Sequence, residues 1–464
     1  MPIRVIVCYL AILALIILSW RRSWFIGACG AVVLMALVEN PEMPRMVFGI
    51  PGLSPWNLLM FNVTLAWWNQ RRYDGSVWDM PRGASRLLIF FIGTIFISFL
   101  RLIVNPTQYA PYDFAGLVNE AFVNSLKFML PFYLFYDGCR TPERTKAALA
   151  SIVALYFALG VLVIKSMGLG SAGAGQDLNG RGAKLIHAGT GYHRVDMAMM
   201  LAGASWALLA FMGLVKDKKY KLLIFGGFAI VSVAEGMTGG RTGYVTWMVI
   251  GLLLCVLRWR KMLLFFPVGL MAALAFMPAV TQRMTTGFGS TEGNIVVHSD
   301  ADQITSDRTQ VWPYAVHGVL QSPIWGYGRF GFLRSGIAAK YAAETTADAV
   351  DHPHCAYLEM LLDNGILGFM LVIPLYVILV FYSLKLFLDR SDALNSAVGA
   401  TSLALFLSLL IAAVGAQTLY PKEGVAGMWA AAGLVLRRYV DRSRVQEVEH
   451  EGAEEMAGAY AAHA

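Results

Sequence analysis

The chain has 464 residues, of which 57% are hydrophobic and 14% charged, where a soluble globular chain carries roughly 25% charge. That deficit excludes an ordinary soluble enzyme and a nucleic-acid-binding protein, and loops flanking apolar runs account for the net charge of +7. Cys8, Cys29, Cys139, Cys255 and Cys355 show neither C-x-x-C nor zinc-ligand spacing, so neither a disulfide framework nor a metal site is expected.

A hydrocarbon core of about 30 Å is crossed by about 20 apolar residues, and about thirteen segments approach that length. They lie near 5–20, 23–38, 53–70, 86–104, 114–136, 147–165, 195–215, 220–236, 241–257, 262–279, 356–387, 396–416 and 424–436. The first looks like a signal peptide, but no A-x-A-like site follows it and Arg21–Arg22 stands where cleavage residues belong, so it is read as a span. Without it, about twelve helices with both ends inside would remain. Basic connections follow every odd-numbered segment: "RR", "RRYDGSVWDMPRGASR", "CRTPERTK", "KDKKYK", "RWRK", "KLFLDR" and "RRYVDRSR". The positive-inside rule places these in the cytoplasm, with the N-terminus outside and the C-terminus inside.

The expected architecture is an all-α polytopic membrane protein. Helices 1–10 occupy 1–279, with a Gly-rich outer loop near 166–194. A large periplasmic loop follows at 280–353, then helices 11–13 at 354–436. The acidic, Ala-rich tail 437–464 is expected to be disordered.

The informative motifs lie on the outer side. Gly168–Gly173 and Gly326–Gly331 both spell G-x-G-x-x-G but lack the strand and helix of a dinucleotide site, so they read as a loop and a tight turn. In "EGMTGGRTGYVTW", Arg241 begins a helix at the outer face, the unfavoured side for a positive anchor, and neighbouring glycines admit close approach. In "DRTQVWPYAVHGVLQSPIWGYGRFGF", Asp307 is a plausible cap for a helix starting at Arg308, with Trp312 on the same face. Pro323, Gly326 and Gly328 then break that helix. In "DHPHCAYLEMLLDNGILGF", Pro353 disfavours helix at His352, so a helix is expected to begin around His354. A histidine there is a candidate general base, close to N–H groups that favour anions.

Taken together, these motifs resemble the bacterial O-antigen ligase and O-antigen polymerase family of membrane glycosyltransferases, mainly over residues 170–390. The resemblance rests on "GGRTGY", "DRTQVW … SPIWGYG" and "HCAYLEMLLDNGILGF", with "GTGYHRVDMAMMLAG" at the entry to an earlier helix. Cys355 and Asp363–Asn364 depart from the family pattern, whereas Gly365 and Gly368 match it. The resemblance implies a GT-C-like fold in the bacterial inner membrane with its site facing the periplasm. It implies a donor glycan on undecaprenyl diphosphate, and an acceptor that is lipid A–core, another lipid-linked glycan or, for a protein O-oligosaccharyltransferase, a protein. Arg241 and Arg308 would hold the diphosphate and His354 would be the base, in an inverting transfer without metal or other cofactor. Arg194, Arg181, Gly326 and Gly328 are further substrate-binding candidates. The rival expectation is a transporter or flippase for a lipid-linked oligosaccharide, favoured by Lys127 within the fifth segment.

Overall fold

A computed structural model describes residues 3–47, 52–75, 77–104, 113–286, 291–292, 295–296, 305, 308–345 and 350–462. The protein is an all-α polytopic membrane protein. Among the described residues the only paired β-strands are Thr291–Glu292 and Ile295–Val296.

Helices α1 (Ile3–Arg21), α2 (Trp24–Val38), α3 (Pro55–Tyr73) and α4 (Arg82–Val104) open the chain. The segment expected at 114–136 is not one helix. It divides into α5 (Phe114–Val118), a π-helical turn (Asn119–Val123), α6 (Asn124–Lys127) and α7 (Leu130–Gly138), where Pro131 enters the first turn. Then come α8 (Pro142–Met167), α9 (Leu178–Thr190), α10 (Arg194–Leu209), α11 (Lys218–Met237) and α12 (Arg241–Leu257). The tenth expected segment is short, α13 (Phe265–Phe276), and Pro278 starts a separate α14 (Pro278–Thr285). The large loop holds α15 (Arg308–Gln321), α16 (Gly331–Arg334) and α17 (Ile337–Glu344). The chain ends in α18 (Ala356–Leu388), α19 (Ala393–Ala412) and α20 (Ala426–Ala462). As far as Ala462, the tail expected to be disordered continues the last helix.

Seven of these helices are long and apolar enough to cross a membrane: α1, α4, α8, α10 (with its 3-10 extension to Gly213), α11, α18 and α19. Helices α2 and α12 are apolar but shorter. The other expected spans are interrupted, as at 114–136, or carry polar residues, as α3 does with Asn62, Asn69, Gln70 and Arg71.

Helices α10 and α19 form the centre. Met197 through Leu209 are all buried. Small residues let the two backbones meet: a Cβ on Gly203 would lie 2.8 Å from Ser408 Cβ, and the Ser408 hydroxyl donates to the Met199 carbonyl. The exposed apolar side chains, such as Leu10, Phe61, Ile89, Leu222 and Met370, lie mostly on helices outside this pair, as expected where lipid is the solvent.

Helix α18 is broken at Gly365 (φ 63°, ψ −170°). The "SPIWGYG" segment plugs the break. Ile366 donates to the Pro323 carbonyl at 2.8 Å, Tyr327 to Leu362 at 2.6 Å and Gly328 to Asp363 at 2.7 Å. These bonds satisfy backbone groups that a broken membrane helix would otherwise leave unpaired. Gly326 and Gly328 have positive φ, and a Cβ on Gly326 would sit 2.4 Å from the Leu362 carbonyl oxygen. The break predicted for Pro323, Gly326 and Gly328 is present, and its purpose is this docking.

Candidate functional site

The starts of α10, α12, α15 and α18 and the end of α19 gather at one end of the bundle. Arg241 is the first residue of α12 and follows Gly240 as its cap. Arg308 is the first residue of α15, as the sequence predicts. Its proposed cap, Asp307, lies outside the described residues.

Two arginines share one carbonyl. Arg194 Nη1 and Arg283 Nε each donate to the Gly239 oxygen at 3.2 Å. Gly239 is held at φ 70°, and a Cβ there would lie 2.6 Å from the Leu178 carbonyl oxygen. Arg283 also donates to Asn179 Oδ1 at 3.0 Å, and Arg241 Nε donates to the Arg283 carbonyl at 3.0 Å. Arg308 Nη2 donates to the Gly415 carbonyl at 2.9 Å. A Cβ on Gly415 would lie 2.9 Å from Thr242 Oγ1 and 3.0 Å from Arg308 Nη2, so the Arg308 tip lies beside the start of α12. The charges of Arg283 and Arg308 both act on Arg194 and Arg241. Among the described residues, Arg194, Arg283 and Arg308 donate to carbonyls and an amide, with no carboxylate in the set. Burial lowers the pKa of Arg283 and Arg308, but a guanidinium stays charged in proteins. A cluster of guanidinium groups held mainly by carbonyls suits an anion such as a phosphate.

His354 stands near Arg308, whose charge acts on it. Helix α18 begins two residues later than expected, at Ala356, with Cys355 extended as its cap. His354 itself has φ 50°, one of two non-glycine residues with positive φ among the described residues. The turn brings together two rings that a helix would have pointed apart: His352 and His354 meet edge to face with centroids 4.2 Å apart. The His354 N–H donates to His352 Nδ1 at 3.3 Å. Trp312 Nε1 donates to the Pro353 carbonyl at 3.1 Å, so the face of α15 that carries Arg308 also pins the turn. Burial, then His352, Arg308 and His193, push the His354 pKa down to about 4. Burial and Lys422 push His352 to about 4 as well. Both rings are neutral at physiological pH, and a neutral imidazole can accept a proton.

Behind His352, Lys422 Nζ pairs with both Asp196 carboxylate oxygens at 2.9 and 3.0 Å. His193 caps α10 one turn before Asp196. Near the break of α18, Arg329 binds Glu359 at 3.0 Å and Asp363 at 3.1 Å and lies 3.7 Å over the Tyr420 ring.

The sequence candidates therefore separate. Arg241, Arg308, His354 and Arg194 come together. Arg181 is exposed and donates to the Gln176 side chain. Gly326 and Gly328 lie against Leu362–Asp363 and Arg101. Sequence reasoning missed Arg283, which lies one turn after Pro278 on α14. Its signal was the one that marked Arg241, a positive residue at the end of the bundle where the positive-inside rule disfavours it.

Residues 226–373 match the model of a family described as O-antigen ligase, a span that includes Arg241, Arg283, Arg308 and His354. An uncharacterized protein of Haemophilus influenzae is 23% identical over 181 residues, a match spanning 36% of this chain and 45% of that relative. The match over residues 226–373 is to the O-antigen ligase family, and it supports a relationship of this part of the chain to the O-antigen ligase and polymerase family.

Proposed function

We propose that the protein is a membrane glycosyltransferase of surface polysaccharide biosynthesis. It moves a glycan from undecaprenyl diphosphate to a sugar hydroxyl at the periplasmic face of the bacterial inner membrane. The observation that carries this reading is the linked set Arg194, Arg241, Arg283 and Arg308 at one end of an apolar bundle, with the neutral His354 beside Arg308.

In this reading the lipid tail lies among the helices and the diphosphate rests on Arg194, Arg241, Arg283 and Arg308. His354 takes the proton of the acceptor hydroxyl as that oxygen attacks the anomeric carbon. The bond from that carbon to the diphosphate oxygen breaks, and its electron pair leaves with the lipid diphosphate. Negative charge therefore grows where fixed cations already point, and such groups stabilise a transition state without reorganising. Arginine suits the task because it holds its charge and grips phosphate with two N–H groups. The acceptor is lipid A–core for a ligase or a second lipid-linked glycan for a polymerase.

The test is reconstitution of the full chain with undecaprenyl-diphosphate-linked glycan and both acceptors in EDTA, with products read by NMR. Direct attack predicts undecaprenyl diphosphate as the lipid product and an inverted anomeric centre. A retained anomer, or activity abolished by EDTA and restored by a divalent cation, contradicts the reading.

A further inference from the structure

A cavity opens at the same end of the bundle, between α1, α2, α3 and the interrupted helix α5–α6. Its volume is about 440 Å³, within the range of small-molecule sites. Its polar lining includes Glu39, Asn57, Glu120, Asn124, Lys127 and Glu423. The π-helical turn builds much of it: the extra residue in that turn sets Asn119 and Glu120 beside Asn124, whose Nδ2 donates to Glu120 Oε2 at 2.8 Å. Such turns appear frequently at functional sites. Lys127 lies over the Phe128 and Trp56 rings, at 4.4 and 6.0 Å from their centroids. Among the described residues, Asn57 Oδ1 and Asn124 Oδ1 are buried without a hydrogen-bond partner. Both side chains line the cavity, where a polar ligand can supply partners to their amides.

The chemistry of the lining narrows the ligand. Three carboxyl groups outnumber the two cations, Lys127 and Arg45, so a diphosphate is disfavoured. Amides, carboxylates and one ammonium together offer donors and acceptors in the alternation that vicinal hydroxyls need. Cys8, Ile12, Leu34 and Phe128 supply an apolar wall for C–H faces. The cavity also adjoins the arginine–histidine site. Glu423 follows Lys422, and the charges of Lys422 and its partner Asp196 act on His352.

We infer that this cavity binds a neutral sugar ring of the acceptor glycan and presents the next hydroxyl toward His354. The inference rests on the proposed transfer reaction but concerns a separate set of residues. The sugar comes from either lipid A–core or a lipid-linked repeat, and both carry the same hydroxyl chemistry.

The experiment measures equilibrium binding to the full chain in nanodiscs by saturation-transfer NMR. The probes are delipidated core oligosaccharide, released repeat-unit oligosaccharide and undecaprenyl diphosphate. One oligosaccharide should bind wild type, and which one does identifies the acceptor. Asn57→Ala and Asn124→Ala should each weaken it about tenfold, the effect of losing one hydrogen bond worth about 1.4 kcal/mol. Both should leave undecaprenyl diphosphate affinity unchanged, which also reports that the variants fold. Glu120→Gln is the milder variant if truncation harms folding, and should weaken the same oligosaccharide. Arg308→Ala should do the reverse. The inference is overturned if neither oligosaccharide binds wild type, if binding survives in the Asn57→Ala/Asn124→Ala double variant, or if the cavity variants lose the lipid diphosphate instead. Failure of wild type to bind undecaprenyl diphosphate would refute the transfer reading itself, a distinct result.

Discussion

His354 at φ 50° occupies backbone space that costs a non-glycine residue about 1–3 kcal/mol. The surroundings hold it there through the Trp312 bond to Pro353 and the His352 ring. Asparagine tolerates the same conformation, so His354→Asn should keep the wild-type melting temperature in detergent while losing transfer. The pH dependence has a defined sign. His352 and His354 fall from 6.5 to about 4 on folding, so the unfolded chain binds more protons between those values. Their contribution to stability is full above pH 6.5 and is lost progressively as pH falls toward 4. Thermal melts from pH 7.5 to 4.5 should show this loss, and the His352→Asn/His354→Asn double variant should show less of it. The acid limb of kcat/KM, which reports the free enzyme, should lie well below pH 6.5. The limb of kcat should lie higher, because a bound diphosphate offsets the arginines that repel a proton. His354 was legible from the sequence through Pro353 and the onset of an apolar run. Its left-handed turn was not, because the bonds that impose it come from α15, some forty residues earlier.

At the scale of elements, the break in α18 organises the site end of the molecule. The sequence read 356–387 as one span, since "DNGILGF" carries no proline and glycine alone does not end a membrane helix. What opens it is tertiary: the Ile324 carbonyl fills the space where a Cβ on Gly365 would stand, 2.2 Å away. Gly365→Ala must therefore expel the "SPIWGYG" segment, and its yield of monodisperse protein should collapse, whereas Gly269→Ala, with open space around it, should be neutral. Arg329 lies in the same region, with Asp363 fully buried and Glu359 nearly so. Arg329→Met leaves two buried carboxylates without their cation, a change that costs about 3–5 kcal/mol. A fall in melting temperature at neutral pH would check this. The interrupted helix 114–136 escaped sequence reading for a similar reason. Its apolar count suits a span, and only the π-helical turn shows that Glu120 and Lys127 line a cavity.

For the molecule as a whole, the distribution of charge was the most readable feature. The end opposite the site carries Arg71, Arg140, Arg437 and Arg444, paired with Asp79 and Asp137, in the basic connections that the positive-inside rule assigns to the cytoplasm. The central pair α10 and α19 was less readable, because buried and lipid-facing residues share one apolar alphabet. The native cysteines are buried or partly buried, which permits a sidedness test. Lys340→Cys, on exposed α17, should react with an impermeant maleimide on intact spheroplasts, and Lys219→Cys only after lysis. The reverse pattern would place the site in the cytoplasm. Lys127, the one sequence feature that favoured transport, lines the cavity with Glu39 and Glu423, at the end of the bundle that holds the arginines.

The central claim is that one site, made by Arg241, Arg308 and His354, transfers glycan. Its most direct measurement is glycan transfer by the purified full chain in EDTA, beside Arg241→Ala, Arg308→Ala and His354→Ala. Wild type should form product, and each variant should fall by about 10²–10³-fold, as when one group that stabilises a transition state is removed. Variants that turn over like wild type would contradict the account, as would a wild type that moves the lipid between leaflets without ever transferring its glycan.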